Sequence, residues 1–377
     1  RQMCIRDSPM AEEIIVVQSK GMERWLSMQL AQRLGIWSNF RFPFPNTFVY
    51  EIFRRVLREL PEYSPFDPAI TTWRIMDMLP SFVERPGFEV IKRYLGNGSD
   101  DLKLFQLSER IADIFDQYLL FRPRMVFGWE NGKEDHWQAA LFRGLLDVSG
   151  KRHRAALGRD FLERLARGDS VGKEDVLPER VSVFGISALP GFYIEIFAAL
   201  ARKIPVNLFL MNPCREYWGD ILSEWEIKRR TRYEDVPHPV NADLYMVKGN
   251  SLLASLGKLG RDFFDLISEL NCEEFTCFED KDKDSLLSAI QSDILDLRDV
   301  YQEGVEKRTI DKDDTSIQIH SCHSPMREME VLYDQLLEMF ERDPDLKPKD
   351  VLVMAPDIEL YAPFIQAVFG TQLEESK

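Results

Sequence analysis

The sequence predicts an α/β protein in which parallel-sheet segments are interrupted by a large all-helical domain. Three observations carry that prediction. Short β-branched runs, IIVVQ (14–18), VSVFGIS (181–187) and VNLFLMN (206–212), alternate with helical stretches, as in a parallel sheet with right-handed crossovers. Between the first two runs, residues 47–178 show only helical periodicity, punctuated by Pro, Gly and Asp or Asn turns. The chain has 377 residues, too many for one ordinary core, so two or three domains are expected.

The elements follow in order. After the first strand the chain turns helical from Ser19 to Ile36, where Met22, Trp25, Leu26, Leu30 and Leu34 recur at spacings of three and four and give one apolar stripe. FPFPNTF (42–48) is a loop whose prolines force extended conformations on the residues before them. FVYEIFRRVL, ITTWRIMDMLPSFV, LFQLSERIADIFDQYLLF and HWQAALFRGLLDVSG then read as amphipathic helices. GFYIEIFAALARK (191–203) is the crossover helix between the later strands. SLLASLGKLGRDFFDLISEL and SLLSAIQSDILDL are helical, and EDKDKD (279–284) is a solvated charge run. SIQIHSC (316–322), a helix over 325–340 and DVLVMAP (350–356) read as strand, helix and strand, the start of a second αβ domain. RQMCIRDS reads as extraneous sequence, and the chain is expected to be a piece at both ends.

Composition narrows the class. Hydrophobic residues are 45% and charged ones 29%, which excludes a disordered chain, a collagen and a disulfide mini-scaffold. No stretch of 18 apolar residues and no signal sequence are visible, so a soluble, cytoplasmic protein is expected. Cys4, Cys214, Cys272, Cys277 and Cys322 form no CxxC pair, which suits a reducing compartment. Net charge is −15 but uneven: residues 1–180 hold 27 basic and 26 acidic side chains, residues 181–377 hold 21 and 37. Broad coating of nucleic acid is excluded, whereas a local phosphate-binding groove in the first half is not.

Catalytic motifs are sparse. No G-x-x-x-x-G-K-[ST] phosphate loop occurs; the nearest string, Gly257–Lys258, is followed by Leu259 and is expected inside a helix. VSVFGIS does not close on the acidic pair that would hold magnesium. His320 and Cys322 share a strand face with His323 opposed, and strand packing accounts for them better than zinc does. Asp113 and Asp116 lie three apart on one helix face, which suits a solvated or hydrogen-bonding face better than a metal. The positive signals are basic and aromatic. QSKGMERW (18–25) spans a strand-to-helix turn, read either as a solvated start capped by Ser19 or as a phosphate contact supported by Lys20 and Arg24. LFRPR (120–124) and KRHR (151–154) are basic clusters at helix ends, and Phe44 and Tyr50 could stack bases. Together these suggest a nucleic-acid channel on the N-terminal half.

Longer runs carry a resemblance. VVQSKGMERWLSMQLAQRLGIWSNFRFPFPNTFVYEIF, KLFQLSERIADIFDQYLLFRP, VFGISALPGFYIEIFAAL, MNPCREYWGDI, NSLLASLGKLGRDF, IQSDILDL, IQIHSCHSPMREMEVLYDQLL and YAPFIQAVFG resemble, in order, the N-terminal third of the RecC family, the gamma subunit of bacterial exodeoxyribonuclease V. The resemblance implies superfamily 1 helicase-like parallel-sheet domains, degenerate and without ATPase motifs, around an inserted helical domain. It implies a helicase-like 1A domain over 9–46 and 179–250 with the helical 1B insertion at 47–178. A helical and acidic linker then covers 251–315, and 316–377 begins a 2A domain; residues 1–8 stand outside. The implied function is a non-catalytic subunit that guides DNA and reads the Chi sequence, in double-strand break repair by homologous recombination. RecB and RecD are the implied partners with single- and double-stranded DNA, no membrane is implied, and ATP and Mg are used by the partner subunits and bound by none of this chain. The family's Chi-reading positions correspond to Gln18, Asp113, Asp116, Arg122 and Arg154, with Ile114, Lys20, Arg24, Phe44 and Tyr50 standing where other residues are usual. Lys20 and Arg24 replace neutral polar groups, exchanging base readout for phosphate attraction. An active helicase or nuclease, or a purely structural adaptor, are the alternatives.

Overall fold

The computed structural model describes residues 12–57, 59–96, 100–167, 177–223, 225–227, 249–270, 272–280, 284–299 and 308–370. Cys4 and the segment read as extraneous lie outside them. The described residues form an α/β protein whose one sheet has four parallel strands, β1 (Glu13–Val16), β2 (Phe40–Arg41), β3 (Val181–Phe184) and β4 (Val206–Phe209), in the order β2-β1-β3-β4. Contacts divide the chain into two compact units, residues 1–278 with 294–299, and residues 279–293 with 300–377.

The two central strands, β1 and β3, form where β-branched residues bury both faces. Ile14, Val16, Val181 and Val183 point into a core shared with helices α2 (Pro45–Leu57), α8 (Arg154–Arg167) and α9 (Gly191–Ala201), through Phe48, Phe53, Phe161, Ile196 and Phe197. Ile15 and Val17 point the other way, against Leu26, Met22 and Leu30 of α1 (Lys20–Leu34). Alternation along one strand therefore feeds two cores. Register is pinned by Ile15 opposite Ser182 and Val16 opposite Val183. Glu13, only 6% exposed, is held by Arg180, whose Nε and terminal nitrogen approach its carboxylate at 2.6–3.1 Å.

The helices α3 (Pro68–Phe82), α4 (Glu89–Leu95), α5 (Asp101–Phe121), α6 (Pro123–Glu130) and α7 (Trp137–Ser149) make a core of their own, built on Phe88, Phe115, Trp129, Leu141 and Phe142. Side-chain caps start several of them: Asp67 accepts from Ala69 N at 3.0 Å and Asp100 from Lys103 N at 3.1 Å. The ends α2 and α8 lie on the sheet instead.

Several expectations are corrected. The stripe on α1 is only partly core-facing: Leu26 is buried, but Trp25 is 52% and Leu34 56% exposed. The short sheet offers that helix a narrow surface, so the flanks of its stripe meet solvent. SLLASLGKLGRDFFDLISEL is not one helix but two, Ser251–Leu256 and Lys258–Ser268, broken at Gly257. A Cβ there would stand 2.5 Å from the Leu253 carbonyl oxygen and 3.1 Å from the Trp218 ring, so glycine lets the turn close onto its neighbours. Hence Gly257–Lys258 lies at a helix junction, not within a helix. SIQIHSC and DVLVMAP form no strand. Among the described residues nothing pairs with them, and an extended segment without a ladder partner is not a strand. Ile319 is 92% and Leu352 80% exposed accordingly. His320 hydrogen-bonds Gln318 at 3.3 Å, and no strand aligns it with Cys322. The second unit is built on helices Leu286–Leu295, for its residues up to 293, Pro325–Arg342 and Ile358–Phe369.

Candidate nucleic-acid interface

The sheet has a topological switch at its centre. From β1 the chain leaves into α1 on one face, and from the adjacent β3 it leaves into α9 on the other. The crevice beyond the carboxyl ends of such strands is where open α/β sheets bind ligands. Gln18, Ser19 and Lys20 occupy that position directly after β1. Ser19 caps α1, its Oγ accepting from Met22 N at 3.1 Å. Gln18, Lys20 and Arg24 are all exposed, and neither Lys20 nor Arg24 has an ion-pair partner among the described residues. The two cations, four apart, lie on one stripe of the first turns of α1. Glycine at 185, the residue after β3, takes φ +64, and a Cβ there would meet Met22 Cε at 3.0 Å, so the two strand ends can approach α1 closely.

A second group gathers elsewhere in the first unit. Tyr50, Asp116 and Arg154 line a cleft of about 340 Å³, together with Tyr63, Asp67 and Tyr193. Arg154 reaches Asp116 in forked fashion, at 3.3 and 3.2 Å, across 38 residues of sequence. Burial pushes the Asp116 carboxyl above its ordinary range despite the opposing attraction and hydrogen bond of Arg154. Desolvation therefore outweighs the pairing, the usual balance for a half-buried ion pair. Burial likewise raises the Tyr50 hydroxyl, against Arg54 and Arg152, and the Tyr193 hydroxyl, against Arg154. Tyr50 donates to the Pro61 carbonyl at 3.0 Å.

The remaining positions stand apart from that cleft. Phe44, 37% exposed, precedes α2 and its carbonyl accepts from Phe48 N at 2.9 Å. Asp113 accepts from Arg110 at 3.4 Å and Gln117 at 3.1 Å on its own helix, and Ile114 beside it is partly buried. Arg122 is exposed at the α5–α6 junction, 5.8 Å above the Tyr118 ring. The KRHR cluster disperses: Arg152 donates to the Glu59 carbonyl at 3.0 Å, His153 is fully buried, and Arg154 holds Asp116. The residues missed from sequence are Tyr63, 70% exposed at the cleft rim, and Tyr193. Tyr63 has one sequence signal, an aromatic in the Pro-rich loop PEYSPFDP.

A family model described as "RecC, N-terminal domain" matches residues 3–297. The chain belongs to the RecC family. It is 42% identical to a protein named RecBCD enzyme subunit RecC from Escherichia coli (strain K12), over 97% of this chain and 36% of that protein. The RecC of Haemophilus influenzae (strain ATCC 51907 / DSM 11121 / KW20 / Rd) is 36% identical, with 97% and 37% covered. That of Mycolicibacterium smegmatis (strain ATCC 700084 / mc(2)155) is 32% identical, with 96% and 32% covered. The chain thus spans about a third of the length of the RecC relatives it matches. No helix among its described residues is long and apolar enough to cross a membrane.

Proposed function

We propose that this chain is the N-terminal part of a non-catalytic, DNA-guiding subunit of an ATP-dependent exodeoxyribonuclease V complex. It works with RecB and RecD subunits on single- and double-stranded DNA in the cytoplasm, in double-strand break repair by recombination. The sheet unit is a helicase-like domain without ATPase motifs, α2 to α8 are its helical insertion, and ATP and Mg are used by the partners. The observation that carries the reading, beside family membership, is the exposed Gln18–Lys20–Arg24 group at the switch point of the parallel sheet. Exposed cations without internal partners stay available for phosphate.

Lys20, Arg24 and Arg122 are exposed without an acidic partner among the described residues, whereas Arg154 is engaged by Asp116. Three phosphate contacts set a log–log salt slope of about −2 for single strands, at about −0.7 per phosphate. Anisotropy titrations of a labelled oligonucleotide over a salt series read it, and ATP hydrolysis by the chain alone is measured beside it. A salt-independent affinity, or ATP turnover by this chain, refutes the reading.

Chi recognition through the cleft requires Arg154 to exchange Asp116 for DNA. That exchange leaves a half-buried carboxylate without its partner unless Asp116 takes up a proton, and burial, which raises its carboxyl, favours that proton. Asp116→Asn removes the competing charge and is expected to raise single-strand affinity severalfold, as one guanidinium is freed for a charge-assisted phosphate contact. An unchanged or lower affinity assigns the pair a structural role only, as in an adaptor.

A further inference from the structure

The α1 face of the sheet carries an aromatic row that none of the matched positions includes. Trp25, on the flank of α1, stacks on Phe184, the last residue of β3, with ring centroids 6.3 Å apart and planes 27° apart. Phe184 in turn lies 6.0 Å from Phe209, the last residue of β4, tilted by 43°. Phe184 and Phe209 end their strands, on the edge of the sheet where Gln18 and Lys20 follow β1, and Trp25 lies in the second turn of α1, next in sequence to Arg24. Trp25 is 52% exposed, and Phe184 and Phe209 are partly exposed beside it.

We propose that Trp25, Phe184 and Phe209 form a stacking platform for unpaired nucleobases, with Lys20 and Arg24 taking the phosphates of the same strand. The proposal rests on the DNA reading above and adds a base-contacting surface to it. The charge beside the row decides the occupant. An apolar segment of another protein laid across the rings would strip water from Lys20 and Arg24, which have no acidic partner among the described residues, and burying unpaired ammonium and guanidinium groups is costly. A single strand supplies flat π faces for the rings and anions for the cations at once. Since every base has a π face, the platform holds strands of any sequence, which separates it from base readout by hydrogen bonds.

The test compares an oligothymidylate with an abasic oligomer of equal length and charge, titrated against the chain at one low salt concentration. The parent chain is expected to bind the oligothymidylate about tenfold or more tightly, the affinity that one well-stacked base contributes. Trp25→Ala is expected to abolish that preference while leaving abasic binding unchanged, and Trp25→Phe to retain most of it. Photocrosslinking from iodouracil is expected to label Trp25 or Phe209. Equal binding of the two oligomers by the parent overturns the platform and leaves the DNA reading standing. Binding of neither oligomer sinks both. Equal loss of both affinities in Trp25→Ala, or crosslinks only at other residues, assigns Trp25 to packing and overturns the platform.

Discussion

Replacing Arg261 by Met is expected to destabilise the first unit by about 3–5 kcal/mol, the penalty for leaving a buried charge without its partner. Arg261 is 4% exposed; its guanidinium donates to the Ile221 carbonyl and, at 2.8 Å, to Glu226 Oε1. Glu226 is fixed from its other side by the Ser223 amide and hydroxyl, each at 3.0 Å. The bond to Arg261 is the main reason its carboxyl is lowered to about 2. A carboxyl depressed in the folded state stabilises the fold fully above its unfolded value near 4.5, and that stability is lost as pH falls towards 2. The group borders solvent, so screening leaves on the order of 1–3 kcal/mol of pH-linked stability. Denaturant melts at a series of pH values test both statements. Glu226→Gln is expected to flatten the acid limb, and pairing Arg261→Met with Glu226→Leu to recover much of the loss. A single Arg261→Met chain within about 1 kcal/mol of the parent contradicts the assignment.

His153→Ala is expected to cost about 3–5 kcal/mol, because one ring performs three tasks. It is fully buried among Phe66, Phe127 and Phe142, with centroids 5.6–5.9 Å away. Its Nδ1 accepts from Ala156 N at 3.2 Å, so the proton resides on Nε2, which meets Glu130 Oε1 at 2.6 Å. That ring therefore caps α8, and the next residue is Arg154. His153→Asn restores the cap but not the packing or the Glu130 bond, and is expected to recover about 1 kcal/mol. Thermal and denaturant melts of both variants provide the check; an alanine variant as stable as the parent would show that neither cap nor ring matters.

Much of the sheet was legible because β1 and β3 are buried on both faces and read as β-branched runs, and Ser19 announced the start of α1; β2, only Phe40 and Arg41, carries no such run. The exposed flank of α1 was not legible. Spacing reports that Trp25 and Leu26 can share a stripe, but the width of the surface beneath is decided with β3, which begins 155 residues after Leu26. The same holds for KRHR, where a run of charges conceals one buried imidazole and one arginine matched to Asp116. Side-chain pairing over such separations leaves no local period. SIQIHSC and DVLVMAP show the converse: strand composition is present, and no ladder partner is.

The pairing of β1 with β3 also sets a clock. Glu13 and Arg180 are separated by 167 residues, so at about 5–20 residues per second β1 leaves the ribosome roughly 8–30 s before β3 exists. Through that interval the short β2 is its paired strand, α1 and α2 are already made to cover its faces, and the β3 edge of β1 is open to other chains. Closing so long a flexible loop costs about 4–5 kcal/mol in chain entropy. The helices in between shorten it: their contacts are mostly local, so they can pack early, and α2 and α8 then carry both ends of the insertion onto one face of the future sheet. Nascent-chain proteolysis should accordingly find the helical core protected before β3 is made, and β1 protected only afterwards.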